Sequence, residues 1–267
     1  MTAWLRAMTY NVRYDTPEDG EHAWANRRAA VASTIRFHAP DVLGLQEPLA
    51  HQLADLAERL PDFEWLGCGR IDGESEGEHT PIGYRTDRIE CVASDTFWLS
   101  ETPEEPGSVG WDARHPRIVT WARLRDRRTD TRFLLANTHL SHDGPRARRE
   151  SARLLLDRLT DLRDDEPVVL TGDFNCVAGE EPYAILTDDD SPLALAGEAD
   201  RSSEPPHGPA TSRTDFESLR PDRKIDHVFT TPDVGVGTHG VCTDVYDDGR
   251  FPSDHLPVLA ALDLGNE

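Results

Sequence analysis

The chain has a single lysine, Lys224; every other cation among its 28 basic residues is arginine. Long apolar runs are also missing. No stretch approaches the roughly 20 consecutive apolar residues that a membrane-crossing helix requires. Met1 to Tyr10 enters a strand-like run directly, with no basic leader followed by an apolar block. A cytoplasmic location with no membrane partner is therefore expected. Cys68, Cys91, Cys176 and Cys242 lie far apart without a C-x-x-C pair, which gives no support to a disulfide framework or a zinc site. Cys176 adjoins a polar cluster, yet nothing around it activates a thiol, so it reads as a small buried residue. Neither a linker nor an internal repeat divides the sequence. Residues 1–267 read as one domain, with no protein partner indicated and a monomer expected.

Acid is what the chain has in excess: 50 Asp and Glu give a formal net charge of -22. Such an excess repels itself at low ionic strength, and salt screens it over a Debye length of about 3 Å at 1 M. Abundant carboxylate with almost no lysine resembles the composition of salt-accumulating halophilic archaea. The competing reading is an ordinary acidic enzyme of a GC-rich genome, where arginine codons displace lysine. Net acidity argues against indiscriminate nucleic-acid binding but leaves room for a local basic groove.

The apolar residues come in blocks with strand-like and helix-like periods. Strands are expected at Ala3 to Val12, Asp41 to Gln46, Phe63 to Cys68, Val168 to Thr171, Ile225 to Thr230, Val234 to Cys242 and Leu256 to Leu262. Ile118 to Leu124 and Arg132 to Asn137 flank a charged turn, a hairpin signal. Helices are expected at Asn26 to Phe37, at Leu49 to Leu60 with Leu53, Leu56, Ala57 and Leu60 inward, and at Pro145 to Leu162 with Leu155, Leu156, Leu159 and Leu162 inward. Asp72 to Thr80 reads as a mobile polar rim and Asp188 to Phe216 as loop. Strands and helices interleave through both halves, which points to one α/β domain of two β-rich halves under helical cover.

Chemistry-bearing residues gather at the ends of these strands. Leu170-Thr171-Gly172-Asp173-Phe174-Asn175 follows one buried run, and Ser253-Asp254-His255-Leu256-Pro257 precedes another. Alternate residues of an extended segment point the same way, so Asp173 and Asn175 are expected to face one ligand. His255 beside Asp254 reads as a charge pair, a metal ligand or a turn feature. Glu47 ends an apolar run, where a lone carboxylate is either solvated or satisfied by a cation. Asn11 closes Met8-Thr9-Tyr10 and can join that cation or a phosphate oxygen. His139 ends Phe133-Leu134-Leu135-Ala136 and can donate to a phosphate oxygen, with His142 as its alternative. Asp226 can buttress an imidazole and raise its pKa. Together these suggest one composite site for metal-dependent hydrolysis of phosphoesters.

In this order the blocks resemble the endonuclease/exonuclease/phosphatase superfamily: Thr9-Tyr10-Asn11-Val12-Arg13, Leu45-Gln46-Glu47, Asn137-Thr138-His139, Thr171-Gly172-Asp173-Phe174-Asn175, Ile225-Asp226-His227-Val228-Phe229 and Ser253-Asp254-His255. Within it the chain looks most like the deadenylase and nocturnin branch and related microbial proteins. The resemblance implies a four-layer sandwich, two mixed sheets face to face with helices outside. It implies magnesium or manganese on Glu47, with Asn11 and Asp254 contributing directly or through water. Asp173 is then the general base and Asn175 orients the phosphate. His255, held charged by Asp226, stabilises the phosphorus centre while His139 assists from the opposite side; the other assignment makes His255 the base. Arg70, Arg117 and Tyr84 are candidate substrate contacts. Arg146, Arg148 and Arg149 read either as a basic entrance or, preferably, as a solvated helix face. The implied partner is a phosphoester, single-stranded nucleic acid or a nucleotide first, a small phosphorylated metabolite or lipid headgroup second.

Overall fold

The computed structural model describes residues 4–265 apart from 192, 194, 203, 247 and 248. Its strands in chain order are β1 (Leu5–Asn11), β2 (Val42–Gln46), β3 (Phe63–Leu66), β4 (Ile82–Arg85), β5 (Ile89–Trp98) and β6 (Ile118–Asp126). They continue with β7 (Arg132–His139), β8 (Val168–Asp173), β9 (Ala196–Gly197), β10 (Asp226–Thr230), β11 (Gly235–Val241) and β12 (Val258–Asp263). Two six-stranded sheets result, ordered β11-β12-β1-β2-β4-β3 and β5-β6-β7-β8-β10-β9. Both are mixed: β1 runs parallel to β2, β7 parallel to β8, and the remaining pairs are antiparallel.

Strand periodicity sorts the side chains into three cores, as four layers require. On β1 and β2, Met8, Tyr10, Leu43 and Leu45 face outward against α1 (Trp24–His38) and α2 (Ala50–Arg59). On β7 and β8, Leu134, Val168 and Leu170 pack under α3 (Pro145–Leu162) through Leu155, Leu156 and Leu159. Between the sheets lie Ala7, Val42, Leu135, Val169 and Val228. The four-layer expectation holds. The first expected strand begins at Leu5, and Met1 to Ala3 lie outside the described residues.

One helix face differs from expectation. Ala57 is exposed, whereas Gln52 is fully buried. The reason is polar: Gln52 Oε1 accepts from the Asp15 amide at 2.7 Å and the Leu49 amide at 3.1 Å, while its Nε2 donates to the Arg13 carbonyl at 2.9 Å. That rotation fastens the chain leaving β1. The segment 188–216 is mostly irregular, with β9 and the short α5 (Glu198–Arg201) inside it. Among the described residues no helix is long and apolar enough to cross a membrane.

Candidate active site

The inter-sheet face turns from apolar to polar as the strands approach one end of the sandwich. Along β1 it reads Ala7, Thr9, Asn11; along β7 Leu135, Asn137, His139; along β8 Val169, Thr171, Asp173. Parallel pairing of β7 with β8 sets His139 beside Asp173, and antiparallel pairing of β10 with β8 sets Asp226 on its other side. Three strands thereby present an imidazole and two carboxylates in one row. Below that row a polar layer joins the sheets: Gln46 Nε2 donates to Asn137 Oδ1 at 2.7 Å, and Asn137 Nδ2 donates to the Leu45 carbonyl at 2.7 Å. Gly44 permits this approach, since a Cβ there would lie 2.3 Å from Thr171 Oγ1.

Three chain turns at the strand ends use left-handed backbone: Arg13 (φ 56), Glu47 (φ 74) and Asn175 (φ 49). Such angles are uncommon outside glycine and asparagine, and these three turn the chain into the same cleft. The extended-segment argument for Asp173 and Asn175 is therefore corrected. Asn175 reaches the cleft by a turn, its amide bonding Asp173 Oδ1 at 2.9 Å and its Nδ2 donating to His139 Nε2 at 3.1 Å. Asn11 Nδ2 bridges the sheets, donating to Glu47 Oε1 at 2.9 Å and Asp173 Oδ2 at 3.0 Å. The Tyr14 amide donates to Glu47 Oε2 at 3.0 Å.

Ser253 explains its place before Asp254 and His255, because its hydroxyl donates to the Asn11 carbonyl at 2.8 Å and ties this turn to β1. His255 Nδ1 bonds Asp226 Oδ2 at 2.9 Å, and its Nε2 lies 3.6 Å from Asp173 Oδ2. Burial alone would depress this imidazole, but Asp226 and Asp173 outweigh it and hold the ring up at about 9. Burial and then the charge of Asp226 push Asp173 up to about 7, against the pull of His255. His139 behaves oppositely: burial, then Arg117 and Arg70, keep it well below its usual range and hence neutral. Because its Nε2 accepts from Asn175, the neutral ring carries its proton on Nδ1, which has no partner. Cys176 is buried and its thiol is pushed up to about 12 by burial, in line with a packing role.

The cleft above this row, of about 620 Å³, is lined by Glu47, His139, Asp173, Asn175, Asp254 and His255 together with Arg13, Arg70, Arg117, Arg213 and Arg223. Five guanidinium groups in one cleft of a chain with net charge -22 concentrate positive potential where an anion would enter. Arg70 and Arg117 thus line the cleft. Tyr84 does not, and this expectation is corrected: it packs in the inter-sheet core and its hydroxyl donates to Glu64 on β3. Arg146, Arg148 and Arg149 do not line the cleft; Arg148 instead donates to the Ser141 carbonyl at 2.8 Å.

Arg213 and Glu78 are among the cleft residues that escaped the sequence reading. Arg213 Nη1 donates to Asp254 Oδ2 at 3.1 Å and touches His255 Nε2. It can donate to that nitrogen only while the ring is neutral; a charged His255 leaves Arg213 to Asp254 alone. Glu78 comes from the Gly-rich segment expected as a polar rim, which is an internally bonded loop. Asp72 Oδ1 accepts from the Glu74 and Glu76 amides at 2.9 Å each, and the His79 amide donates to the Pro48 carbonyl at 2.9 Å. Neither residue follows an apolar run, so periodicity gave no signal for them.

The donor set fits a hard divalent cation. Glu47 and Asp254 share the cleft, and Asp254 Oδ1 is buried without a hydrogen-bond partner. Magnesium and manganese take such oxygens while keeping several waters, so one or two carboxylates suffice. Asp173, Asp226 and His255 also bring ligand atoms within 4.8 Å of one another. That group is already tied by the His255–Asp226 bond, which favours Glu47 and Asp254 as the ion's holders.

The profile of the Endonuclease/Exonuclease/phosphatase family matches residues 8–255. A solved endonuclease/exonuclease/phosphatase from Bacteroides vulgatus is 35% identical, with a TM-score of 0.93 over 98% of this chain and 100% of that one. A mannosyl-6-phosphatase from Bacteroides thetaiotaomicron is 34% identical, with a TM-score of 0.92 over 97% of this chain and 99% of that one. Nocturnin from Drosophila melanogaster is 26% identical over a 245-residue alignment that covers 79% of this chain. The chain spans about a third of that protein's length, 36%.

Proposed function

Because the chain belongs to the endonuclease/exonuclease/phosphatase family, we propose that it is a magnesium- or manganese-dependent hydrolase of small phosphomonoesters. The observation that carries this reading is the row His139–Asp173–Asp226 with His255 bonded to Asp226, all facing one arginine-lined cleft.

Glu47 and Asp254, with Asn11 beside them, would hold the ion, which when bound neutralises charge on the phosphoryl oxygens and on the departing oxygen. Asp173, raised to about 7, accepts a proton from the attacking water near neutrality. Its two oxygens are oriented by Asn11 and by the Asn175 amide, which fixes the direction of that transfer. The phosphorus–oxygen bond to the leaving group breaks as the water oxygen bonds phosphorus. His255, held charged by Asp226, stabilises the crowded phosphoryl oxygens through Nε2. His139 orients Asn175 by accepting from its Nδ2, and the arginines of the cleft draw the anion in.

For the substrate, the similarity to a mannosyl-6-phosphatase over nearly the full length of both chains favours a small monoester. Nucleic acid is the second reading, favoured by the nocturnin similarity. The test is hydrolysis of p-nitrophenyl phosphate and of labelled RNA and DNA, with and without chelator. Chelation should abolish turnover and magnesium or manganese restore it. Full activity in excess chelator contradicts the mechanism, and a preference for oligonucleotide over every monoester contradicts the substrate.

A further inference from the structure

One wall of the cleft is not used by the chemistry above. Arg70 Nη1 donates to Glu78 Oε2 at 2.7 Å, and Arg70 itself is fixed by Trp98 Nε1, which donates to its carbonyl at 2.7 Å. Arg117, only 5% exposed, donates from Nη2 to His142 Nδ1 at 2.9 Å. Four further donors of this wall are buried without partners: Arg70 Nε, Arg117 Nε and Nη1, and His139 Nδ1, which faces Glu78 Oε2 at 4.0 Å. Buried guanidinium hydrogens left unpaired are costly, so a cluster of them around an open cleft marks a place that a ligand completes. His139 joins the two regions, one nitrogen accepting from Asn175, the other toward Glu78.

The chemistry of the wall is mixed. A second phosphate could only accept hydrogen bonds, which suits Arg70 and Arg117 but sets a like charge against Glu78. A hydroxyl both donates and accepts, and matches a carboxylate flanked by guanidinium donors. Base stacking has little to use here, because among the described cleft residues Tyr14 is the one phenol or indole ring and the Arg13 guanidinium lies 4.4 Å from its centroid.

We propose that Arg70, Glu78 and Arg117 form a leaving-group subsite for a polyhydroxylated alcohol, so that the substrate is the phosphomonoester of a sugar or polyol. Glu78 accepts from the hydroxyls, Arg70 and Arg117 donate to them, and the phosphoryl group lies against Asp173, Asn175 and His255. This rests on the hydrolase reading and names its substrate class.

The test compares kcat and KM for hexose 6-phosphates, glycerol 3-phosphate and p-nitrophenyl phosphate, which carries no hydroxyl. Wild type should prefer a hexose 6-phosphate. In Glu78→Gln the ratio of kcat/KM for that substrate to kcat/KM for p-nitrophenyl phosphate should fall at least about ten-fold, mainly through KM. Arg70→Gln carries the same expectation should the first variant fail to fold. An unchanged ratio in both variants overturns the subsite, as does a wild type that prefers p-nitrophenyl phosphate or an oligonucleotide. Turnover of p-nitrophenyl phosphate with an unmoved ratio leaves the hydrolase reading standing; absence of all turnover with metal present overturns both.

Discussion

Asp173 is held by Asn11, by the Asn175 amide and by the nearby His255, so its substitutions separate shape from proton transfer. Asp173→Asn keeps the shape and removes the base, and kcat should fall by about 10² or more with little change in KM. Wild-type activity retained in this variant would move the base role to His255. The pH profile follows from the same cluster. Asp173 must lose its proton to act, so activity should fall below about 7; His255 must keep its proton, so activity should fall above about 9. Both limbs belong to the interacting group rather than to single residues. In Asp226→Asn the carboxylate bonded to His255 Nδ1 no longer supports the ring's charge, and the upper limb should move to lower pH in a kcat/KM titration. An upper limb that stays put would show that Asp226 does not serve His255.

At the scale of elements, β10 begins at Asp226, and what holds that end is a buried ion network behind it. Lys224 pairs with Glu198 and donates to the Asp226 carbonyl at 3.2 Å, while Glu198 Oε2 accepts from the Val228 amide at 3.0 Å. Burial alone would raise Glu198, but Lys224 and the bonds to it bring the carboxyl down to about 2. A depressed carboxylate stabilises the fold fully above its unfolded value and loses that contribution as pH falls through the folded one. Glu198→Gln should therefore lose about 3 kcal/mol near neutrality in urea unfolding, and the gap to wild type should close between about pH 4.5 and about pH 2. A gap independent of pH would contradict the pairing. The chain's single lysine thus has a structural task. Sequence periodicity read β10 and the other site strands well, because polar residues at alternate positions extend apolar runs: Val169, Thr171, Asp173 is one such series. The family resemblance, not periodicity, put Tyr84 at the substrate, and its hydroxyl is satisfied by Glu64 on the neighbouring strand. Periodicity failed for Glu78 and Arg213, which come from irregular loops. It also failed for Gln52, a polar residue buried by backbone partners that no apolar pattern announces.

For the whole molecule, the charge of -22 and the arginine-lined cleft act on different properties. The adaptation to salt expected from the composition has its own test. The thermal midpoint should rise between about 0.1 M and about 2 M potassium chloride as repulsion is screened; a flat or falling midpoint would reject this while leaving the catalytic reading intact. The site itself belongs to neither sheet alone. Asn11 on the first sheet donates both to Glu47 and, across the sandwich, to Asp173 on the second. The most direct test of such a composite site is a double-mutant cycle on kcat/KM with Glu47→Gln and Asp173→Asn, at saturating magnesium. If the two carboxylates serve one reaction centre, the double variant should be no worse than the poorer single variant, because a unit already broken has little further to lose. Losses that multiply would contradict it.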